Sequence, residues 1–198
     1  MARRSFVLVA VVGLALVLAA TTLGATVTVR VEGKTQPLFG SVPVKVEAPN
    51  ALAALDVAST LGEFYYGLTT SSFGTYVSQI GKYPGVGSAG WVFKVNGASP
   101  PVGADQVVLE DGDQVLWYYA TFGDSGGPKT LSLKAATANC YTVSSFDDAG
   151  KSTPAAGAQL VVDGRRARAG VTGRACVGRH VGLVRAYAVG AVRSNAVR

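Results

Sequence analysis

The segment from Ala25 to Glu32 alternates strictly between apolar and polar side chains. One face carries the valines and the other the polar residues: Val27, Val29 and Val31 against Thr28, Arg30 and Glu32. A period of two is typical of a β-strand with one buried face. Residues 41–47 alternate in the same way after a turn-rich segment, so the two runs together predict a hairpin.

The period then changes to that of a helix. Asn50 is a suitable N-cap, and Leu52, Leu55 and Ala58 recur at three-residue intervals before Gly62. Short strands are predicted in 64–84, followed by a strand over 90–96 and a hairpin joining 107–109 to 115–119 across an Asp-Gly-Asp turn. The order strand, strand, helix, strands predicts an α+β fold of the β-grasp type for this half, with the helix crossing one face of a mixed sheet.

No helical period returns in the last third of the chain. Strand-like runs occupy 130–136, 140–146, 158–162, 175–177 and 181–188, separated by glycine, proline and Asp-Gly turns. Asp163-Gly164 is a strong hairpin signal. About five to seven short strands in so short a segment predict a small all-β sandwich.

Charge and composition place a boundary between these two parts. Residues 26–128 carry 5 Lys and Arg against 9 Asp and Glu, whereas residues 129–198 carry 11 against 3. Residues 123–129 read GDSGGPK, which is the composition of a linker. The sequence therefore predicts two domains, 26–122 and 130–198, joined by 123–129.

Residues 1–25 have the layout of a secretory signal peptide. Arg3 and Arg4 precede an uncharged apolar run, and Leu23-Gly24-Ala25 offers small residues for cleavage. An uncleaved membrane anchor is the alternative. No second run is long enough to span a bilayer, so the mature chain is expected to have no transmembrane span and to be secreted or associated with the cell envelope.

Export also bears on the two cysteines. An even pair in an oxidising compartment predicts a disulfide between Cys140 and Cys176. On the chain-entropy account, closing such a loop contributes about 4 kcal/mol. A metal site is the alternative, but two thiols without close spacing and a single histidine make a poor ligand set, and we expect no metal.

The string GDSGGP around Ser125 is that of a serine-protease nucleophile. A triad needs a base and an orienting carboxylate, yet the only histidine, His180, follows the serine, and the linker composition does not favour a fixed oxyanion hole. Asp111 and Asp113 fit a hairpin turn better than a calcium loop, which needs further oxygen ligands. The sequence therefore predicts no enzyme, and a serine hydrolase is a remote alternative.

Aromatic residues on two predicted strands are the candidate ligand-binding residues. Together with the turn residue between the strands they are Trp91, Phe93, Asn96, Trp117, Tyr118 and Tyr119. Alternation places Trp117 and Tyr119 on the face opposite Tyr118. These rings either pack in a core or form a wall against a ligand.

Arginines dominate the polar positions of the second half. They are Arg165, Arg166, Arg168, Arg174, Arg179 and Arg185. They form either a solvated basic surface or a contact to an anionic envelope polymer, above all through Arg165, Arg166, Arg168 and Arg174. No nucleic-acid motif accompanies them, so no nucleic acid is expected as a partner.

Three segments of the first half resemble a known family. They are Gly90-Trp91-Val92-Phe93-Lys94-Val95-Asn96-Gly97, Pro101-Val102-Gly103-Ala104, and residues 109–119, which read LEDGDQVLWYY. They are similar to bacterial exported domains related to the C-terminal β-domain of transcobalamin and intrinsic factor. The resemblance implies a β-grasp fold and a ligand-facing hairpin. In the vitamin carriers a helical barrel completes the cobalamin site, and this chain has no such segment.

The second half resembles carboxypeptidase-regulatory-like and other Ig-like accessory sandwiches, through residues 154–164 and 172–175. That resemblance implies a module that spaces or presents other domains. We therefore expect an exported, non-catalytic binding or adhesion module of the cell envelope, whose partner is a surface protein or a small molecule. The alternatives are a structural or partner-docking module of a surface complex and a corrinoid-binding accessory protein; no other cofactor is expected.

Overall fold

The computed structural model describes residues 24–72, 74–124 and 126–198. Nearly all of the predicted signal peptide, residues 1–23, lies outside this description, as do Phe73 and Ser125. Within the described ranges, no helix combines the length and the apolar character needed to cross a membrane.

The first half contains seven strands and one helix. They are β1 (Ala25–Glu32), β2 (Pro37–Ala48), α1 (Ala51–Leu61), β3 (Tyr66–Ser71), β4 (Gly74–Ile80), β5 (Tyr83–Pro84), β6 (Ala89–Val95) and β7 (Gln114–Thr121). Four strands form the first sheet in the order β2-β1-β7-β6, and a smaller sheet has the order β3-β4-β5. Strand β1 runs parallel to β7 and antiparallel to β2.

The hairpin predicted between 107–109 and 115–119 is wrong. Residues 107–109 form no strand, and β7 pairs instead with β6 and β1. The turn between 107–109 and 115–119 is hydrogen-bonded to the start of β1. Asp111 Oδ1 accepts the Thr26 amide at 2.7 Å, and the Gly112 amide donates to the Thr26 carbonyl at 2.9 Å. These two bonds direct β7 alongside β1.

Helix α1 begins and ends where the sequence predicts. Asn50 Oδ1 accepts the Ala53 amide at 2.8 Å, and the Gly62 amide donates to the Ala58 carbonyl at 2.9 Å. Its buried residues are Ala51, Ala54, Leu55 and Ala58. They pack on the apolar face of the first sheet, which we define as Val27, Val29, Val31, Val115 and Trp117.

The second half contains nine short strands. They are β8 (Lys129–Ala135), β9 (Cys140–Phe146), β10 (Ser152–Pro154), β11 (Gln159–Val162), β12 (Arg165–Arg168), β13 (Arg174–Cys176), β14 (Val184–Tyr187), β15 (Ala191–Val192) and β16 (Ala196–Val197). One sheet has the order β10-β9-β8-β15 with β13 beside β9, and the other has the order β12-β11-β14-β16. Buried side chains from both sheets form a single core, including Leu133, Val143, Leu160 and Val184.

The prediction of an α+β fold of the β-grasp type is wrong. The described chain is mostly β: sixteen strands in several sheets stand against one helix of 11 residues, and the architecture is that of an all-β, sandwich-like protein. The sequence-based prediction treated the single helix as a separate layer of the fold. The helix covers only the apolar face of one sheet, and the opposite face of that sheet is covered by other strands.

The alternation of β1 predicted one buried face, but the opposite face is largely buried as well. We call it the charged face and define it as Thr28, Arg30, Glu32, Lys94 and Tyr118. Glu32 is 1% exposed, Lys94 is 0% exposed and Arg30 is 7% exposed. The second half packs against them, so both faces of the first sheet are interior.

Three arginines surround the buried Glu32 carboxylate. Arg30 Nη1 lies 3.1 Å from Oε1, Arg193 Nε lies 3.0 Å from Oε2, and Arg185 Nη2 also donates to Oε1. Burial lowers the pKa of the Arg30 guanidinium to about 10, since desolvation outweighs the nearby charge of Glu32. Arg185, which the sequence placed on the basic surface, therefore belongs to this buried cluster.

Lys94 makes a second charged contact between the two halves. Its Nζ donates to the Asp147 carbonyl at 2.7 Å and lies 3.3 Å from Asp148 Oδ1. Desolvation lowers the pKa of Lys94, and Asp148 opposes that shift. The predicted division of the chain at 123–129 stays a prediction, but the segments on either side of it are joined by buried ionic contacts.

The predicted disulfide is confirmed. Cys140 and Cys176 are bonded and lie directly opposite one another in the paired strands β9 and β13. The bond closes a sequence separation of 36 residues. It fixes β13, which has only three residues, against the sheet.

Candidate functional site

An apolar cavity lies at the free edge of the first sheet. It has a volume of about 280 Å³ and is enclosed by β6, the β3–β4 hairpin, α1 and the connection 99–105. Its apolar walls are formed by Leu52, Leu68, Tyr76, Val77, Trp91, Val92, Phe93, Pro100, Ala104, Trp117, Tyr118 and Phe122. Such a concave, mostly apolar site with few polar groups is the usual form of a ligand pocket.

The aromatic rings beneath the cavity are held in fixed positions. Phe93 stacks on Trp117 with ring centroids 5.0 Å apart. The Trp117 indole donates to the Ala51 carbonyl at 3.2 Å, and the Trp91 indole donates to the Tyr83 carbonyl at 2.7 Å. Because both indole donors are satisfied inside the protein, a ligand would meet only the apolar parts of these rings.

The six sequence-predicted residues divide between the cavity and its supports. Trp91, Phe93, Trp117 and Tyr118 line the cavity, although Trp117 and Tyr118 are 2% and 1% exposed. Tyr119 lies outside the lining, and its hydroxyl donates to the Pro84 carbonyl at 3.2 Å. The aromatic set is therefore largely core, with an accessible side at the edge of the sheet.

Asn96 also lies outside the cavity lining and holds the turn after β6. Its side-chain nitrogen donates to Asp113 Oδ1 at 2.6 Å, and its Oδ1 accepts the Gln114 amide at 3.0 Å. Asn96 and Gly97 both have positive φ, the conformation that a two-residue hairpin turn requires.

Strand β6 is the edge strand of the first sheet at this cavity. The Asn96 amide donates to the Gln114 carbonyl and the Phe122 amide to the Ser88 carbonyl, so the even-numbered residues of β6 carry the ladder to β7. The odd-numbered residues point the other way. At the two ends of the strand they bond to Val86 and Ala98. Between these ends, Trp91 and Phe93 have no paired strand on this side, because β6 is the edge strand of its sheet.

The mouth of the cavity combines apolar and acidic side chains that the sequence analysis did not assign. Leu68 and Tyr76 are 47% and 53% exposed, and Asp105 and Asp148 are the acidic residues of the lining. Burial, followed by the charge of Asp148, raises the pKa of Tyr118 to about 12. The one sequence signal for Leu68 and Tyr76 was the occurrence of large apolar residues among serine, threonine and glycine in 64–84.

No catalytic constellation accompanies this cavity in the described ranges. His180 lies in the second half, where its Nδ1 is 2.9 Å from the Gly182 carbonyl and its Nε2 is 2.7 Å from the Tyr141 hydroxyl. A carbonyl can only accept, so Nδ1 carries a proton; in the neutral imidazole, Nε2 then accepts from the Tyr141 hydroxyl. Ser125 lies outside the described residues. Among the residues described, no group of three or more His, Cys, Asp or Glu side chains could hold a metal ion.

Comparison with known families bears on the same part of the chain. Residues 51–121 match a family described as "Domain of unknown function (DUF4430)". No curated protein matches the chain. The matched segment begins at α1 and ends at the last residue of β7, so it contains the cavity-lining strands and excludes β1, β2 and the whole second half.

Proposed function

We propose that this protein is an exported, non-catalytic binding module of the cell envelope that holds an apolar part of its ligand in the cavity beside β6. The observation that carries the proposal is the combination of an apolar cavity with the sheet edge that β6 presents at Trp91 and Phe93. The apolar walls supply contact area, and the main-chain donors and acceptors orient the ligand.

The rigidity of the cavity floor supports a binding role. The stacked Phe93 and Trp117 rings, with the Trp117 indole bonded to α1, form a surface that needs no rearrangement when a ligand arrives. A preorganised surface loses little conformational entropy on binding. The exposed Leu68 and Tyr76 at the mouth are available for contact with the part of the ligand that remains outside.

The resemblance to transcobalamin-related domains is part of this proposal. The matched range 51–121 includes all three segments that carry the resemblance, 90–97, 101–104 and 109–119. A cavity of about 280 Å³ lies just below the usual range for drug-sized ligands. It could accept only an edge of a large corrinoid, so a corrinoid ligand would need a partner protein to enclose the rest.

Binding of an uncharged fluorophore tests the cavity. Phenylnaphthylamine fluoresces strongly in apolar sites, and we expect the wild-type protein to enhance its emission in a saturable way. Leu68→Asp places a charge at the mouth and should abolish the enhancement. Val171→Asp is the matched control, since Val171 is also exposed but lies in the second half outside the cavity lining. Absence of saturable enhancement, or equal enhancement in both variants, would favour a structural docking module without a small ligand.

A further inference from the structure

A second, more polar cleft separates the charged face of the first sheet from strand β8. Its volume is about 450 Å³. One wall is formed by β1, β6, β7 and the turn after β6, and the other by β8 and Asn195. It therefore exists only because the two halves of the chain pack together, and it shares no lining residue with the apolar cavity.

The lining of this cleft is cationic. Arg30, Lys94 and Lys134 contribute to its walls, and no Asp or Glu does. Hydroxyl and amide side chains supply most of the remaining polar lining: Thr28, Asn96, Gln114, Thr130, Ser132 and Asn195. A cleft lined by positive charge with no carboxylate in its walls attracts anions.

The buried charges behind the wall do not balance. Arg30, Arg185 and Arg193 share the single carboxylate of Glu32, which leaves two positive charges in excess. Lys94 is neutralised by Asp148, and Lys134 forms no ion pair with any described residue. Desolvation by burial lowers the pKa of Arg30, and Glu32 offsets that shift only in part.

Hydrogen-bond donors remain available at the cleft. Arg30 uses only Nη1, which donates to Glu32 and to the Arg193 carbonyl at 2.8 Å. Its Nε and Nη2 have no partner in the described part of the chain. No fully enclosed side-chain nitrogen or oxygen there lacks a partner, so these two atoms are not fully enclosed, and Arg30 lines the cleft. The same reasoning applies to the hydroxyl of Thr130, a residue that is 3% exposed.

We propose that this cleft is a binding site for phosphate, either as the free ion or as the end group of a phosphorylated ligand. A guanidinium held by its Nη1 contacts presents two further N–H groups in fixed geometry, which suits a phosphate oxygen pair. The facing wall contributes the Thr130 hydroxyl and, four residues further along β8, the Lys134 ammonium. The Glu32 cluster, of which Arg30 lines the cleft, has two positive charges in excess, and a phosphate group carries a charge of that size and opposite sign, about −1.5 to −2 at neutral pH.

This site differs from the basic surface indicated by the sequence. The exposed arginines Arg165, Arg166, Arg168 and Arg174 lie on the second half and line no part of the cleft. Exposed arginines lose most of their attraction to salt screening. Arg30 is nearly enclosed by protein, so an anion beside it would be screened less and held more specifically.

Inorganic phosphate and glycerol 3-phosphate are the probes, titrated separately into the full chain by calorimetry at constant ionic strength. Lys134→Gln removes one exposed cation of the cleft and leaves the buried cluster intact. Lys82→Gln is the matched control, an exposed lysine of the first half that is not part of the lining. We expect saturable binding of at least one probe, about tenfold or more weaker in Lys134→Gln and unchanged in Lys82→Gln.

Thr130→Val provides an independent variant, because it removes the hydroxyl while keeping the shape of the side chain. It should also weaken binding, and its thermal unfolding reports whether the fold is intact. Tighter binding of glycerol 3-phosphate than of inorganic phosphate would identify an end group as the natural ligand, and the reverse would identify the free ion. Absence of saturable binding of both probes, or equal losses in Lys134→Gln and Lys82→Gln, would overturn the proposal.

Discussion

The two faces of the first sheet are both buried, but by opposite means. The apolar face packs valines and Trp117 against alanines and Leu55 of α1. The charged face encloses Glu32, Arg30 and Lys94 between the two halves of the chain and satisfies them with ion pairs and main-chain carbonyls. One strand, β1, supplies residues to both.

This difference indicates which of the two faces better tolerates a single substitution. An apolar contact gains free energy roughly in proportion to buried area, so losing one side chain costs a part of the whole. A buried ion pair gains little when intact, since desolvation offsets attraction, and costs much when one partner is removed. The charged face therefore fixes how the two halves pack, and it should be the more sensitive to a single change.

The largest expected effect is on the charged face. Glu32→Gln removes the one carboxylate that three buried arginines share. We expect a loss of about 3–5 kcal/mol in the free energy of unfolding, measured by urea denaturation. Glu47→Gln is the control, because Glu47 is exposed and forms no ion pair with described residues. A loss below about 1 kcal/mol for Glu32→Gln would show that the cluster is solvated.

The apolar face should respond somewhat less. Leu55→Ala empties a fully buried position between α1 and the sheet and should cost about 2–4 kcal/mol. Leu61→Ala, at the exposed end of the same helix, should change stability by less than about 0.5 kcal/mol. If the two leucine variants lost equal stability in the same urea titration, the helix would not be packed as described.

High pH should weaken the charged face through Tyr118. A tyrosine in the unfolded chain ionises near pH 10, whereas the pKa of Tyr118 is raised to about 12. Between these values the unfolded state binds fewer protons than the folded state, so stability present below pH 10 is lost as pH rises to 12. The loss should reach about 2 kcal/mol at most.

Tyr118→Phe provides the comparison for that pH dependence. The variant should lose less stability than the wild type between pH 10 and pH 12. Its tyrosinate absorbance in the near ultraviolet should lack the titration step that the wild type shows at the highest pH. Identical pH profiles of unfolding for the two proteins would place the Tyr118 hydroxyl in contact with solvent.

The smallest effect should come from Lys94→Met. The substitution keeps the apolar stem and removes the buried ammonium, and the freed Asp148 carboxylate is 43% exposed and can be solvated. We expect a loss of about 1 kcal/mol or less, since the cost of breaking a buried pair comes from a charge left buried and unpaired, and Asp148 remains hydrated. The free energy of unfolding of this variant can be compared with that of Glu32→Gln by thermal unfolding. An equally large loss would show that removing a buried cation costs as much as leaving buried cations without their carboxylate.

Much of the local structure could be predicted from the sequence. The alternation of 25–32, the capped helix after Asn50 and the Asp163-Gly164 hairpin all depend on neighbours within a few residues, and each forms as expected. The disulfide also followed from compartment and cysteine count. The hairpin at 107–119 failed because bonds from its turn to Thr26, 85 residues away, outweighed the local signal.

The candidate site was only partly predictable. Trp91 and Phe93 could be selected as aromatic strand residues, but Leu68 and Tyr76 reach the cavity only through the placement of the β3–β4 hairpin. The polar cleft between the charged face and β8 could not be predicted from the sequence, since Arg30 and Lys134 lie on strands of different halves of the chain.

The sequence alone determined which residues of β1 share a face, because side chains of a strand alternate whatever surrounds them. It could not determine which faces are buried. A run of Thr28, Arg30 and Glu32 looks solvated until Arg185 and Arg193, more than 150 positions away, supply partners for the carboxylate. Burial of charge depends on compensation by distant groups, and that compensation exists only in the tertiary structure.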